Sequence, residues 1–316
     1  MAKLANKGTT RTGYINRNGQ INIGRTEPSR AGTDHGQYIY IIKCTKCGES
    51  YGANGSDIFE RKCPFCQKGR PGLALLADEI NKMAIVAGVD GCKAGWFCIA
   101  KDFDTGLITS AVFSNAQLIL QQEPEPSIIT VDIPIGLTEI GARQCDVEAR
   151  KLLGPRRSSV FPAPIRPALQ SKTRQHADEI RRKIEGKGVS AQSFAIVKKV
   201  LEFDKILSTR PHLQDRVKEI HPEVCFWAWN NKHAMSYNKK SSGGRAERRE
   251  LVVKHFGAEV VEETRAKYLV KCVSHDDIYD AFAALWTAER IFAGKAGVIP
   301  DPSPQDAVRI NMEMWY

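Results

Sequence analysis

Two cysteine pairs, Cys44-Thr-Lys-Cys47 and Cys63-Pro-Phe-Cys66, constrain the first part of this chain more tightly than any other feature in it. Each CxxC turn aims two thiolates at one point. Two such turns separated by fifteen residues have the spacing of two zinc knuckles that close a tetrahedral four-thiolate site. Gly48, directly after Cys47, relieves crowding where the backbone amides turn towards sulfur. A single redox pair or a chance arrangement fits two pairs at this spacing poorly. A closed Cys44, Cys47, Cys63, Cys66 site leaves no open coordination position, so the Zn²⁺ expected there is structural.

The other five cysteines, Cys92, Cys98, Cys145, Cys225 and Cys272, lack ligand spacing and read as core residues. With no export-like apolar leader and four of nine cysteines in CxxC pairs, the chain is expected to carry reduced thiols in the cytoplasm. Its longest apolar runs, such as residues 83–89, are far too short to cross a bilayer.

Composition shifts divide the chain of 316 residues. Residues 1–36, rich in Gly, Thr, Asn and Arg, read as a basic irregular arm. Residues 37–70 form the ribbon, with β-rich runs at 37–43 and 58–62 leading into the two cysteine pairs. Residues 71–83 read as a linker with a short amphipathic segment at 73–83. Residues 84–316 form the large domain. There, apolar runs predict strands over 84–90, 95–100, 107–113, 127–133 and 217–221. Helical periodicity predicts helices over 115–122, 143–153, 174–184, 190–207, 245–256 and 276–292. Ser114 and Ser190 suit N-caps, Gly257 and Gly294 suit stops, and residues 238–244 read as a flexible insert. Three early strands followed by alternating helix and strand imply a mixed α/β sheet.

The aspartates carry the chemistry. Asp90 follows the buried run Ala-Ile-Val-Ala-Gly-Val, and Asp132 ends Ile-Ile-Thr-Val. Acids in strands this apolar are costly unless they meet positive charge. Asp277 and Asp280 share one face at the start of a helix, beside Asp276. Singly, each has an ordinary reading as a cap, a first-turn acid or a turn former. Together they are the carboxylate cage that a hard divalent cation such as Mg²⁺ or Mn²⁺ requires. His221 or Glu223 is a candidate for proton transfer or water orientation. Arg156, Arg157, Ser158 and Ser159 suit phosphate contacts, and Gln192 and Ser193 open a helix that could face the site. The formal charge of +10 attracts polyanions, and between Lys151 and Lys183 nine basic residues face two acidic ones. Nucleic acid, DNA or RNA, is therefore the expected partner. Trp227 and Trp229, beside Phe226, read more readily as core aromatics than as base-stacking platforms.

The strings GVDGCKAGW, VDIPIGL, RQCDVEARKLLGPRRSSVFPAP, SAQSFAI, EIHPEVCFWAWN and HDDIYDAFAALWTA closely resemble the domain-of-unknown-function 429 family, whose members are predicted RNase H-like nucleases. The resemblance spans residues 84–316. It implies an RNase H-like mixed sheet flanked by helices, preceded here by the small zinc ribbon. The Asp277-x-x-Asp280-Ala281 motif is similar to the C-terminal helix of RuvC-type Holliday junction resolvases, whose first-strand acid corresponds to Asp90. Carried over, Asp90, Asp132, Asp277 and Asp280 become magnesium or manganese ligands. At the fourth strand this chain has the shorter Asp132 where those resolvases have Glu.

The leading expectation is a metal-dependent phosphodiesterase acting on DNA or RNA. A different class is a non-catalytic nucleic-acid-binding module on the same fold. A third, an actin-like kinase or ATPase, requires a duplicated half and an adenosine motif, and neither is evident in the sequence.

Overall fold

The computed structural model describes residues 9–10, 14–25, 38–73, 75, 85–103 and 105–316. Around the first cysteine pair the chain forms an antiparallel sheet of β1 (Gln20–Arg25), β2 (Ile39–Cys44) and β3 (Ser50–Asn54), with β2 in the middle. Two expectations are corrected here. Residues 20–25, expected within an irregular arm, are β1: Ile21 and Ile23 are buried, and the backbone pairs with β2 from Gln20 opposite Cys44. Residues 58–62, expected as a strand, are mainly turns, and the Ile58 and Arg61 carbonyls accept from Asn16 Nδ2 at 2.7 and 2.8 Å. Residues 1–8, 11–13 and 26–37, and residues 74 and 76–83 of the linker with most of its amphipathic segment, lie outside the described residues.

The large domain is built on β4 (Ile85–Cys92), β5 (Gly95–Asp102), β6 (Ile108–Phe113), β7 (Ile128–Val131) and β8 (Val217–Glu219) in the order β6-β5-β4-β7-β8. β4 pairs antiparallel with β5 and parallel with β7, and β8 continues the parallel side. This is the mixed sheet that the sequence implies, RNase H-like in its order. Between and after the strands run α1 (Ala116–Leu120), α2 (Gln144–Leu153), α3 (Arg174–Glu185), α4 (Ala191–Ala195), α5 (Val197–Thr209), α6 (Pro222–Trp229), α7 (Ser242–Phe256), α8 (Ala258–Ala266) and α9 (His275–Phe292). β9 (Val298–Ile299) and β10 (Met314–Trp315) form a small antiparallel pair.

Helices cover both faces of the sheet because successive strand side chains point to opposite sides. Val86 joins the cluster formed with α6, α7, α8 and α9, whereas Ala87 and Val89 join the cluster formed with α1 and α5. From Ile278 to Glu289 every residue of α9 is buried, as expected of a helix packed between a sheet and other helices. Asn115, rather than Ser114, caps α1, accepting from Leu118 N at 3.1 Å. The single helix expected over 190–207 is two, meeting at Ile196. α6 and α8 have no counterpart in the sequence reading; α6 (PEVCFWAW) is buried along most of its length, and this erases the periodicity by which a helix is recognised.

The ribbon packs on this domain. Ile21, Ile23 and Ile41 share one buried cluster with Phe292 of α9, and the Lys43 ammonium lies 4.8 Å from the Phe292 ring centroid. Arg25 pairs with Asp215 at 3.0 Å. Each isoleucine buried this way is worth about 1.5–3 kcal/mol.

Candidate active site

Asp90 and Asp132 are brought together by parallel pairing. Val89 lies opposite Val131, and Asp132 N donates to Val89 O at 3.0 Å, so each acid is the next residue at the carboxyl end of its strand. Ligand crevices in α/β sheets open at such ends. Asp90 has the parity of Val86 and Gly88, and Asp132 that of Thr130, so both side chains lie on the face that α9 covers. Two contacts set α9 against that face. Thr130 Oγ1 donates to the Ala284 carbonyl at 2.7 Å, and Gly88 leaves room for the helix backbone. Asp280 and Asp277 thereby hang over the strand ends.

The electrostatics report this convergence. Burial, and then the charges of Asp132, Asp280 and Asp277, push the Asp90 carboxyl well above the usual range. Burial pushes Asp132 up to about 6, opposed by His221 and reinforced by Asp280. Asp276, at the rim, is also raised, by burial first and then by Asp280. Among the described residues, no three of these carboxylates bring ligand oxygens within 4.8 Å of one another, as the four cysteine sulfurs do. Asp90 Oδ1 accepts from Gly91 N at 2.7 Å. Asp277 Oδ2 accepts from Ser274 N at 2.8 Å and Ser274 Oγ accepts from Asp277 N, a capping box. Asp280 is 3% exposed, and its Oδ1 has no hydrogen-bond partner. An orphaned buried carboxylate oxygen among oxygen donors fits a hard divalent cation.

Sequence reading passed over the cations around these acids. Lys239 Nζ donates to Asp280 Oδ2 at 2.8 Å. It stands in the segment 238–244 expected as a flexible insert, which is instead bonded throughout: Ser241 Oγ donates to Asn238 O and caps α7 through Gly244 N. On the other side of Asp90, Lys199 donates to Gly95 O and lies 4.1 Å from the Trp96 ring centroid. Beneath the turn that follows Asp132 sits Arg143, almost fully buried. It holds Glu219 through two bonds of 2.6 and 2.7 Å and Asp146 through bonds of 3.1 and 2.5 Å, and donates to Ile135 O. Burial opposes the Arg143 charge, but Asp146 and Glu219 drive its pKa up. Glu219 also accepts from Ile135 N at 2.6 Å, so this network fixes the chain just beyond Asp132. Cys145, Asp146 and Glu219 lie close enough for a metal, yet the guanidinium already occupies both carboxylates. The signal in the sequence was Arg143 three residues ahead of Asp146 at a helix start.

The remaining candidates separate. His221 caps α6: Nδ1 accepts from Glu223 N at 3.2 Å, which leaves the proton on Nε2 for the Ser159 carbonyl, also at 3.2 Å. This bond brings the 154–159 loop to the side of Asp132. Glu223, buried, is committed to Arg248, whose Nε donates at 3.0 Å. Arg156 is spent on backbone, donating to Met235 O at 2.8 Å and to Ser236 O. Ser193, fully buried, bonds Pro162 O and Ser190, each at 2.7 Å. Arg157, Ser158 and Gln192 are exposed. Of the basic stretch, Arg166, Arg181 and Arg182 are ion-paired within the chain. Trp227 packs edge-on to Tyr316, and Trp229 stacks on Trp286 at 4.8 Å, so both are core aromatics.

A second candidate metal site is the ribbon. The ligand atoms of Cys44, Cys47, Cys63 and Cys66 lie within 4.8 Å of one another, with Cys44–Cys66 and Cys47–Cys63 sulfurs 3.6 Å apart. Tetrahedral Zn–S bonds of about 2.3 Å imply sulfur separations of about 3.8 Å. The four cysteines fit a zinc ribbon. Gln20 Nε2 and Phe65 N each donate to a ligand sulfur at 3.4 Å. Against the effect of burial, donors from Cys47, Gln20 and Lys46 bring the Cys44 thiol down to about 6.

Among the described residues no helix is long and apolar enough to cross a membrane. The family model described as "Protein of unknown function (DUF429)" matches residues 88–305. No curated protein and no solved structure matches the chain.

Proposed function

The chain belongs to the DUF429 family, and from that premise we propose that it is a cytoplasmic divalent-metal-dependent nuclease that hydrolyses phosphodiester bonds in DNA or RNA. The observation that carries the reading is the orphaned Oδ1 of Asp280, buried among Asp90, Asp132 and Asp277 at the ends of two parallel strands. Asp90, Asp132 and Asp280 would hold Mg²⁺ or Mn²⁺, with Asp277 at the edge, and such an ion would supply Lewis-acid activation of water at the phosphodiester. The chain's own groups do the rest. Arg143 and Glu219 keep Asp132 in place, and Gly88 and Thr130 keep α9 seated. His221 is engaged on both ring nitrogens, by the Glu223 amide and the Ser159 carbonyl, which suits orienting the loop more than shuttling a proton. Arg157 and Ser158, exposed beside it, receive the phosphate backbone. The ribbon holds structural zinc and extends the contact with nucleic acid or a partner.

The Lys239–Asp280 ion pair favours a second reading, a binding module whose acids are neutralised from within. One experiment separates the two. Purified protein and Asp132→Asn are incubated with labelled single-stranded, duplex, branched and hybrid substrates in EDTA, Mg²⁺ or Mn²⁺. Cleavage that needs metal and Asp132 supports the nuclease. Binding without cleavage selects the module, and cleavage that survives EDTA or the substitution removes the mechanism.

A further inference from the structure

We infer that Lys239 supplies a built-in second cation at the carboxylate site, so that the cluster takes one divalent ion rather than a pair; this rests on the metal-site reading above.

The oxygens are already divided. Asp280 gives Oδ2 to the Lys239 ammonium at 2.8 Å and keeps Oδ1 buried and unpartnered. Asp277 gives Oδ2 to the Ser274 amide. A pair of ions about 3.5–4 Å apart shares carboxylates that bridge them. Here Asp280 has one oxygen occupied by a positive group, which also repels a second ion.

Lys239 is held in this position by its surroundings. Upstream, Arg156 donates to the Met235 and Ser236 carbonyls, and Glu247 accepts from Ser236 N and Tyr237 N at 2.9 and 3.0 Å. Arg248, itself fixed on Glu223, reaches the Tyr237 carbonyl at 3.4 Å. Downstream, Gly244 packs so tightly that a Cβ there would meet Asn238 O at 1.9 Å. A backbone anchored on both sides keeps Lys239 within reach of Asp280.

The test counts ions directly. Mn²⁺ is titrated into the zinc-loaded chain and free Mn²⁺ is read by electron paramagnetic resonance, for wild type, Lys239→Met, Lys239→Arg and Asp132→Asn. The expected result is one Asp132-dependent ion in wild type and Lys239→Arg, and two in Lys239→Met. Two ions in wild type, or one in Lys239→Met with its melting profile intact, overturns the inference and leaves the metal site standing. No Asp132-dependent ion in any protein removes the metal site itself, and the inference with it.

Discussion

Gly88 lies directly under Leu285: a Cβ at this strand position would come within 2.1 Å of the Leu285 amide nitrogen and 2.4 Å of the Ala281 carbonyl oxygen. Helix α9 therefore rests on the β4 backbone itself, two residues before Asp90. We expect Gly88→Ala to lift the helix, at a cost of about 1–3 kcal/mol or more. Because α9 carries Asp277 and Asp280, Mn²⁺ affinity falls with stability. Urea denaturation together with a Mn²⁺ titration checks both effects, and unchanged affinity in a folded variant counts against this role for Gly88.

In metal-free solution the acid cluster makes stability depend on pH. An acid whose folded-state pKa is raised stabilises the fold below its unfolded pKa and loses that contribution as pH rises through the folded value. Burial, opposed by His221 and reinforced by Asp280, brings Asp132 to about 6, and burial with the charges of Asp132, Asp280 and Asp277 also raises Asp90. The melting temperature in EDTA should thus fall as pH rises from about 4 to about 7. Mn²⁺ should restore it, and Asp132→Asn should flatten the slope. Melts across that range, with and without metal, read this directly; a rise with pH in EDTA contradicts it.

Arg143 is the counter-ion of two buried carboxylates. Arg143→Met leaves Glu219 and Asp146 buried without their partner, and should cost about 3–5 kcal/mol. Adding Glu219→Gln to it should recover part of the loss, which a double-mutant cycle in urea measures.

Glu223 offers a direct contrast between structural and catalytic roles. Paired in the core with Arg248, it should cost about 3–5 kcal/mol when replaced by alanine. Metal-dependent cleavage by the folded fraction should survive. A Glu223→Ala variant of full stability without cleavage would point instead to proton transfer.

Zinc should be stoichiometric with the chain and structural. Cys47→Ser is expected to lose the metal, as elemental analysis would show, and to loosen the packing of Ile21, Ile23 and Ile41 on α9, worth about 1.5–3 kcal/mol per isoleucine. Hydrogen exchange in β1 and β2 should rise before exchange in β4.

Local chemistry was legible from the chain alone. Cysteine spacing identified the ribbon because two CxxC turns define a ligand set without reference to the rest of the fold. Apolar runs located β4 and β7, and the acids Asp90 and Asp132 stood out as the charges that end them. The Asp277–Asp280 pair could be read because i and i+3 share a helix face. α6 escaped because burial on most sides leaves no pattern.

What tertiary structure decided is which charges meet. Lys239 and Asp280 are forty-one positions apart, in segments that read as a flexible insert and a helix start. Arg143 and Glu219 are seventy-six apart. Glu223 and Ser193 looked available for chemistry or substrate and are committed to Arg248 and to Pro162 and Ser190. An isolated charge costs too much to bury, so a fold that closes over several acids must bring partners to them from wherever the chain passes. The identity of those partners depends on packing between distant elements, and a linear pattern of residues carries no record of it.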